Sequence, residues 1–158
     1  MDYHNLYIID TSAILSGRIN LTENNYIYPE SVISEIKSGN LKTIINSIEY
    51  LKIEIPENMY INEVINFAKK TGDYYVLSKT DIDVIALALQ LNATIISDDY
   101  AIQNVARLMN LKYYGAGIET IKKEIKWKYR CTGCHKIYKN YIEICPVCGH
   151  KTKRYIKK

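Results

Sequence analysis

The chain has 158 residues, 47% of them apolar, four cysteines and a formal net charge of +4, a size and composition that suit one globular domain with a small appendage and exclude a disordered chain. No apolar run approaches the roughly 20 residues of a membrane-spanning helix, and no basic stretch followed by a long apolar one opens the chain, so no membrane partner and a cytoplasmic location are expected. In that reducing setting four cysteines point to metal binding rather than disulfides.

Short apolar runs at residues 6–9, 25–28 and 94–96 are each followed by a helical pattern, an alternation that predicts an α/β fold with a mainly parallel sheet flanked by helices. The clearest helix is predicted over residues 79–91. Ser78 supplies an N-cap, Asp81 the capping-box acid three positions on, and Asn92 the C-terminal stop. Apolar residues cover most of its circumference, as in a buried central helix. A second helix, over residues 100–109, carries Ile102, Val105, Ala106 and Met109 on one face and ends at Asn110. Gly115 and Gly117 then punctuate the chain before a basic stretch from Lys122 to Arg130. A boundary is expected there, dividing a domain of residues 1–121 from an appendage of residues 122–158.

Charge divides the same way. Residues 1–121 hold nine basic and fifteen acidic side chains, a balance of −6, whereas residues 122–158 hold twelve and two, a balance of +10. A tail so basic predicts a polyanionic partner.

That tail contains Cys131-Thr-Gly-Cys134 and Cys145-Pro-Val-Cys148-Gly, with ten residues between the pairs. Each pair can present two sulfurs from one tight turn, and a short hairpin brings the turns together around a tetrahedral zinc ion. Four thiolates fill the shell, so the site is expected to be structural and its metal to supply most of the folding energy of the appendage. His135 after Cys134 also completes a c-type haem attachment motif. That reading leaves the second pair unexplained and requires export, so His135 and His150 are read as surface histidines.

In an α/β fold several acids converge. Asp10 follows the first strand and Asp98-Asp99 the strand at 94–96, so both lie at the carboxyl edge of the sheet, where open α/β folds bind ligands. The helix bearing Asp81 begins at that edge, and Glu35, in the helix after the second strand, can reach it. Clustered carboxylates repel unless a cation lies among them, and oxygen ligands favour Mg²⁺ or Mn²⁺, which can activate a water for attack on a phosphodiester. An aspartyl-nucleophile phosphatase would need a second acid two residues after Asp10, where Ser12 stands.

The segments Ile8-Ile9-Asp10-Thr11-Ser12-Ala13, Val32-Ile33-Ser34-Glu35, Asp81-Ile-Asp-Val-Ile-Ala-Leu-Ala88 and Ile96-Ser97-Asp98-Asp99 resemble the acidic motifs of PIN-domain nucleases. With the four-cysteine ribbon behind them, the chain is similar over nearly its whole length to the archaeal NOB-type ribosome-maturation endonucleases. The resemblance implies catalytic roles for Asp10, Glu35, Asp81 and Asp99. The 18-residue interval between the last two is similar to that family's usual spacing, and this resemblance favours them over Asp83 and Asp98, which become second choices. It further implies cleavage of precursor small-subunit ribosomal RNA at its mature 3′ end, within the pre-small ribosomal subunit, using Mg²⁺ or Mn²⁺ and no small-molecule cofactor. The basic tail would then grip RNA through Lys126, Trp127, Lys128, Arg130, Lys151, Lys153 and Arg154, by phosphate contact and base stacking. Trp127, Tyr129, Tyr138, Tyr141 and Tyr155 either stack on bases or pack around the zinc site. Two alternatives are a toxin-type PIN ribonuclease acting on tRNA or mRNA, which would typically lack the ribbon, and a non-catalytic RNA-binding assembly factor.

Overall fold

A computed structural model of the chain describes residues 5–36, 39–117 and 123–156. The expected boundary between residues 121 and 122 lies outside them. Two sheets form. The larger contains β1 (Tyr7–Ile9), β2 (Tyr26–Pro29), β3 (Ile53–Glu54), β4 (Thr94–Ile96) and β5 (Tyr113–Tyr114) in the order β3-β2-β1-β4-β5, with every pairing parallel. Strands β1 and β4 are buried almost throughout, as parallel strands covered on both faces must be, which is why they read as unbroken Ile-rich runs rather than alternating ones.

The chain moves outward from β1 through β2 to β3, then returns to pair β4 on the other side of β1. A reversal of this kind leaves a crevice beyond the carboxyl ends of the two central strands. Ile9 pairs with Ile96, so the residues that follow them, Asp10 and Ser97, emerge side by side at that crevice.

The helices are α1 (Thr11–Leu15), α2 (Glu30–Glu35), α3 (Asn40–Ser47), α4 (Asn58–Thr71), α5 (Lys79–Leu91) and α6 (Tyr100–Leu108). A 3₁₀ turn over Tyr74–Val76 follows α4. Helix α5 is the expected buried helix. Ser78 Oγ accepts from the Asp81 N–H, the Asp81 carboxylate accepts from the Ser78 N–H, and Asn92 closes the other end in the left-handed conformation. Thr80 and every residue from Ile82 to Ala88 are buried, where the helix packs on β1, β2 and β4 and against α2, α4 and α6. Helix α6 stops one residue earlier than expected, with Met109 as its cap and Asn110 at positive φ.

The smaller sheet is antiparallel, β7-β6-β8, made of β6 (Lys128–Cys131), β7 (Ile137–Tyr138) and β8 (Thr152–Tyr155). It does not stand apart from the larger unit. Trp127 and Tyr129 are buried together with Ala101 of α6, with Val76, Leu77, Ile125 and Tyr138 packed around them. Among the described residues no helix is long and apolar enough to cross a membrane.

Candidate active site

Three of the expected acids are held by helix N-termini. Asp10 is the N-cap of α1, Asp99 the N-cap of α6, and Asp81 the third residue of the α5 capping box. Their acceptor bonds run from Ser12 N–H to Asp10 Oδ2 at 3.4 Å, from Ser78 N–H to Asp81 Oδ2 at 2.7 Å, and from Ala101 N–H to Asp99 Oδ1 at 2.7 Å. Unsatisfied amides and the positive end of each helix dipole offset part of the carboxylates' mutual repulsion. Glu35 is held differently. It is the last residue of α2, exposed, and its Oε2 accepts from Thr11 Oγ1 at 2.6 Å.

Asp10, Glu35, Asp81 and Asp99 line one cavity of about 580 Å³ at the carboxyl edge of the larger sheet. Asp10 is 3% exposed, and its Oδ2 also accepts from Ser12 Oγ at 2.7 Å and Ser97 Oγ at 2.8 Å. Burial pushes its carboxyl above the ordinary value despite these bonds. Burial likewise raises Asp81 to about 6, with the charges of Asp99 and Asp10 adding to the shift against the Ser78 backbone bond. Two neighbouring acids that resist ionisation in the metal-free protein form a donor set that a cation would relieve.

The second-choice acids go elsewhere. Asp98 Oδ1 accepts from the Ala116 and Gly117 amides at 2.7 and 3.1 Å, so it ties β4 to the segment leaving β5. Asp83 is 8% exposed and lines a neighbouring groove with Lys79 and Asn58, to which Glu35 also contributes. The donor set at the main cavity fits Mg²⁺ or Mn²⁺ in its chemistry, all oxygen and mostly carboxylate. Among the described residues these carboxylates do not form a ready-made cluster of the kind the cysteines form.

The four cysteines do converge. Their sulfurs lie within 4.8 Å of one another, with Cys131 to Cys148 at 3.3 Å and Cys134 to Cys145 at 3.7 Å. A tetrahedron of Zn–S bonds of about 2.3 Å has edges of about 3.8 Å, so the cluster fits a structural zinc. The Tyr138 hydroxyl lies 3.0 Å from Cys145 Sγ, and its hydrogen bond lowers that thiol, which favours the thiolate a metal requires. The residue after the second cysteine of each knuckle is left-handed, Gly149 at φ 75° and His135 at φ 64°. His135 thus occupies a turn position rather than a ligand position.

The smaller sheet forms a wall of the acidic cavity. Tyr129, Tyr141, Thr152 and Arg154 line it opposite the carboxylates, and Tyr141 stacks on Tyr75 at 4.2 Å with the rings 8° from parallel. Lys126, Lys128, Arg130, Lys151, Lys153 and Arg154 are all exposed. Trp127 corrects the expectation that it meets RNA. It is 8% exposed, its Nε1 donates to Asp73 Oδ1 at 2.9 Å, and it secures the ribbon instead of offering a stacking face. Tyr138 and Tyr141 also take the packing role, against the cysteine cluster and against Tyr75 and Tyr129.

Comparison with known proteins places this geometry among relatives. Residues 7–91 match the family model for the PIN domain of ribonuclease. The chain is 47% identical to Ribonuclease VapC1 of Thermoplasma acidophilum, over 97% of this chain and 79% of that one. It is 41% identical to Endoribonuclease Nob1 of Methanocaldococcus jannaschii, over 96% and 78%, and 36% identical to Endoribonuclease Nob1 of Pyrococcus abyssi, over 92% and 91%. In fold it is similar to VapBC2 of Rickettsia felis, with a TM-score of 0.53 over 70% of this chain and 98% of that chain at 16% identity.

Proposed function

The chain belongs to the PIN-domain endoribonucleases, in the Nob1-type arrangement with a C-terminal four-cysteine cluster, and from that membership we propose that it cleaves precursor small-subunit ribosomal RNA at its mature 3′ end. The observation that carries the reading is the shared cavity, in which four carboxylates face a basic ribbon. An acidic pocket alone repels RNA, and a basic patch alone only binds it. Side by side, the patch brings the phosphodiester to the acids.

In this reading Asp10, Glu35, Asp81 and Asp99 would hold Mg²⁺ or Mn²⁺, which would supply the positive charge to polarise the phosphate and acidify a water. Ser12 and Ser97 fix Asp10 through their hydroxyls, and Thr11 fixes Glu35. Glu35, the exposed member of the set, would take the proton of the attacking water, and solvent would protonate the leaving oxygen. Residues 122–158 serve as the gripping module around a structural zinc, with Lys126, Lys128, Arg130, Lys151 and Lys153 on RNA phosphates. Residues 1–121 serve as the cutting module, and the pre-small ribosomal subunit is the physiological partner.

A short RNA spanning the precursor 3′ end, incubated with Mn²⁺ and with EDTA and mapped to the nucleotide, tests this. A single metal-dependent cut at the mature end is the expected result, and the absence of any cut despite tight binding would replace the enzyme with an assembly factor. A second reading draws on the 47% identity to a relative named Ribonuclease VapC1, a match that extends through the ribbon's length. Under it, tRNA or mRNA is cut in preference to the ribosomal precursor in the same assay.

A further inference from the structure

The basic side chains of the ribbon are not equivalent. Lys153 and Arg154 are neighbours on β8 and so point to opposite faces of the smaller sheet, and of the two only Arg154 lines the carboxylate cavity. It also lines the adjoining groove of about 480 Å³, which runs past Asp99 and Tyr100, so it stands where the two depressions meet. Its guanidinium lies 5.2 Å from the centroid of the Trp127 ring. Trp127 is itself fixed by its bond to Asp73, which is 2% exposed. The arginine is exposed, but its contact with a fixed indole favours the direction of the cavity.

Arg154 forms no ion pair with a carboxylate among the described residues, although four acids share its cavity. Its partner across the strands, Tyr129, lines the same cavity with its ring, is 4% exposed, and keeps its hydroxyl buried. An exposed planar guanidinium beside the carboxylates matches the non-bridging oxygens of a phosphodiester.

We propose that Arg154 binds the phosphate that lies across the four carboxylates, so that the ribbon contributes a substrate-binding residue to the active site itself. The inference rests on the nuclease reading of the cavity. It assigns Arg154 a role different from that of the other basic residues of the ribbon. Those hold RNA at a distance and set affinity, whereas Arg154 orients the reacting phosphate and sets the rate once RNA is bound.

Single-turnover cleavage of the precursor 3′-end RNA in Mn²⁺, at saturating protein, separates the two roles. Arg154→Ala is expected to slow the saturated rate about 10- to 100-fold, as losing a charge-assisted hydrogen bond would, and Arg154→Lys to restore part of it. Trp127 emission and one zinc per chain verify that each variant keeps its ribbon docked. An unchanged saturated rate in Arg154→Ala overturns the proposal, whether or not affinity falls. A binding measurement in Ca²⁺ distinguishes this failure from failure of the nuclease reading. With a methylphosphonate at the mature 3′-end phosphate, the native protein should lose about tenfold in affinity and Arg154→Ala should lose nothing further. That coupling without cleavage would sink the nuclease and leave the phosphate contact standing. Cleavage with an equal methylphosphonate penalty in both proteins would do the reverse.

Discussion

Trp127 Nε1 and Asn104 Nδ2 both donate to Asp73 Oδ1, at 2.9 and 2.8 Å. Asp73 follows α4, Asn104 lies on α6, and Trp127 opens the ribbon, so one buried carboxylate joins three distant stretches of chain. Asp73→Ala leaves two buried donors unpaired and should destabilise the fold by about 1–3 kcal/mol per donor. Because Trp127 is the only tryptophan in the sequence, a red shift of its emission should accompany the lower melting temperature.

Asp10→Asn should abolish cleavage, by about 10²-fold or more, while leaving RNA affinity unchanged. The same substitution removes a carboxylate that burial disfavours in its charged form, so the metal-free variant should melt at a higher temperature than the native protein at neutral pH. Calorimetry beside the cleavage assay reads both; a melting temperature that falls would mean that the charge stabilises the fold.

The carboxyl of Asp81, raised by burial to about 6, gives a signed pH dependence. Its folded value exceeds the unfolded value of 3.8, so the folded state holds the proton more tightly. Its contribution to the stability of the metal-free protein is fully present below about pH 4 and is lost as pH rises through about 6. Mn²⁺ requires the ionised form, so affinity for Mn²⁺ should climb up to about pH 6 and then level off. Titration calorimetry between pH 5 and pH 8 measures this, and a flat profile would remove Asp81 from the metal site.

Asp83 lies two residues from Asp81 but lines another groove. Asp83→Asn should leave the cleavage rate within about threefold of the native protein, and Asp81→Asn should lower it by about 10²-fold or more. Equal losses in the two variants would mean that the helix turns when metal binds.

Stripping zinc with a strong chelator should melt the smaller sheet, since structural zinc contributes on the order of 10 kcal/mol to modules of this kind. Trp127 emission should shift to the red as its buried contacts open, and the saturated cleavage rate should fall with it because Arg154 leaves the cavity. Cleavage that survives with the emission fully shifted would show that the larger sheet works alone.

The local signals in the sequence proved readable. Ser78, Asp81 and Asn92 delimit α5 because capping is decided within four residues, and Ile-rich runs mark the doubly covered strands. Strands β3 and β5 have two residues each, too short for any pattern, and exist only because β2 and β4 offer them an edge. Helix α4 escaped notice because its N-cap, Glu57, makes no side-chain capping bond. Its plain punctuation, Lys69, Lys70 and Gly72, comes only at the far end. Which of the paired acids face the cavity was legible only as a spacing, since the answer depends on Ala116 and Gly117 occupying Asp98. The place of Trp127 was legible only as one of two alternatives. An indole among lysines and arginines reads as an RNA-stacking group until Asp73, 54 positions away, is seen to bond it.

The acids at positions 10, 81 and 99 each begin a helix as well as lining the cavity. A descendant of this protein that had lost its chemistry would still gain about 0.5–2 kcal/mol, relative to Ala, from a capping side chain at positions 10 and 99, but Asn or Ser would cap as well as Asp. Selection for folding alone could therefore keep a capping residue there long after the charge had gone. Glu35 starts no helix and is exposed, with the Thr11 hydroxyl bonded to it, so folding holds it more weakly than the caps. In a lineage of such chains it is the position where loss of catalysis would first be written.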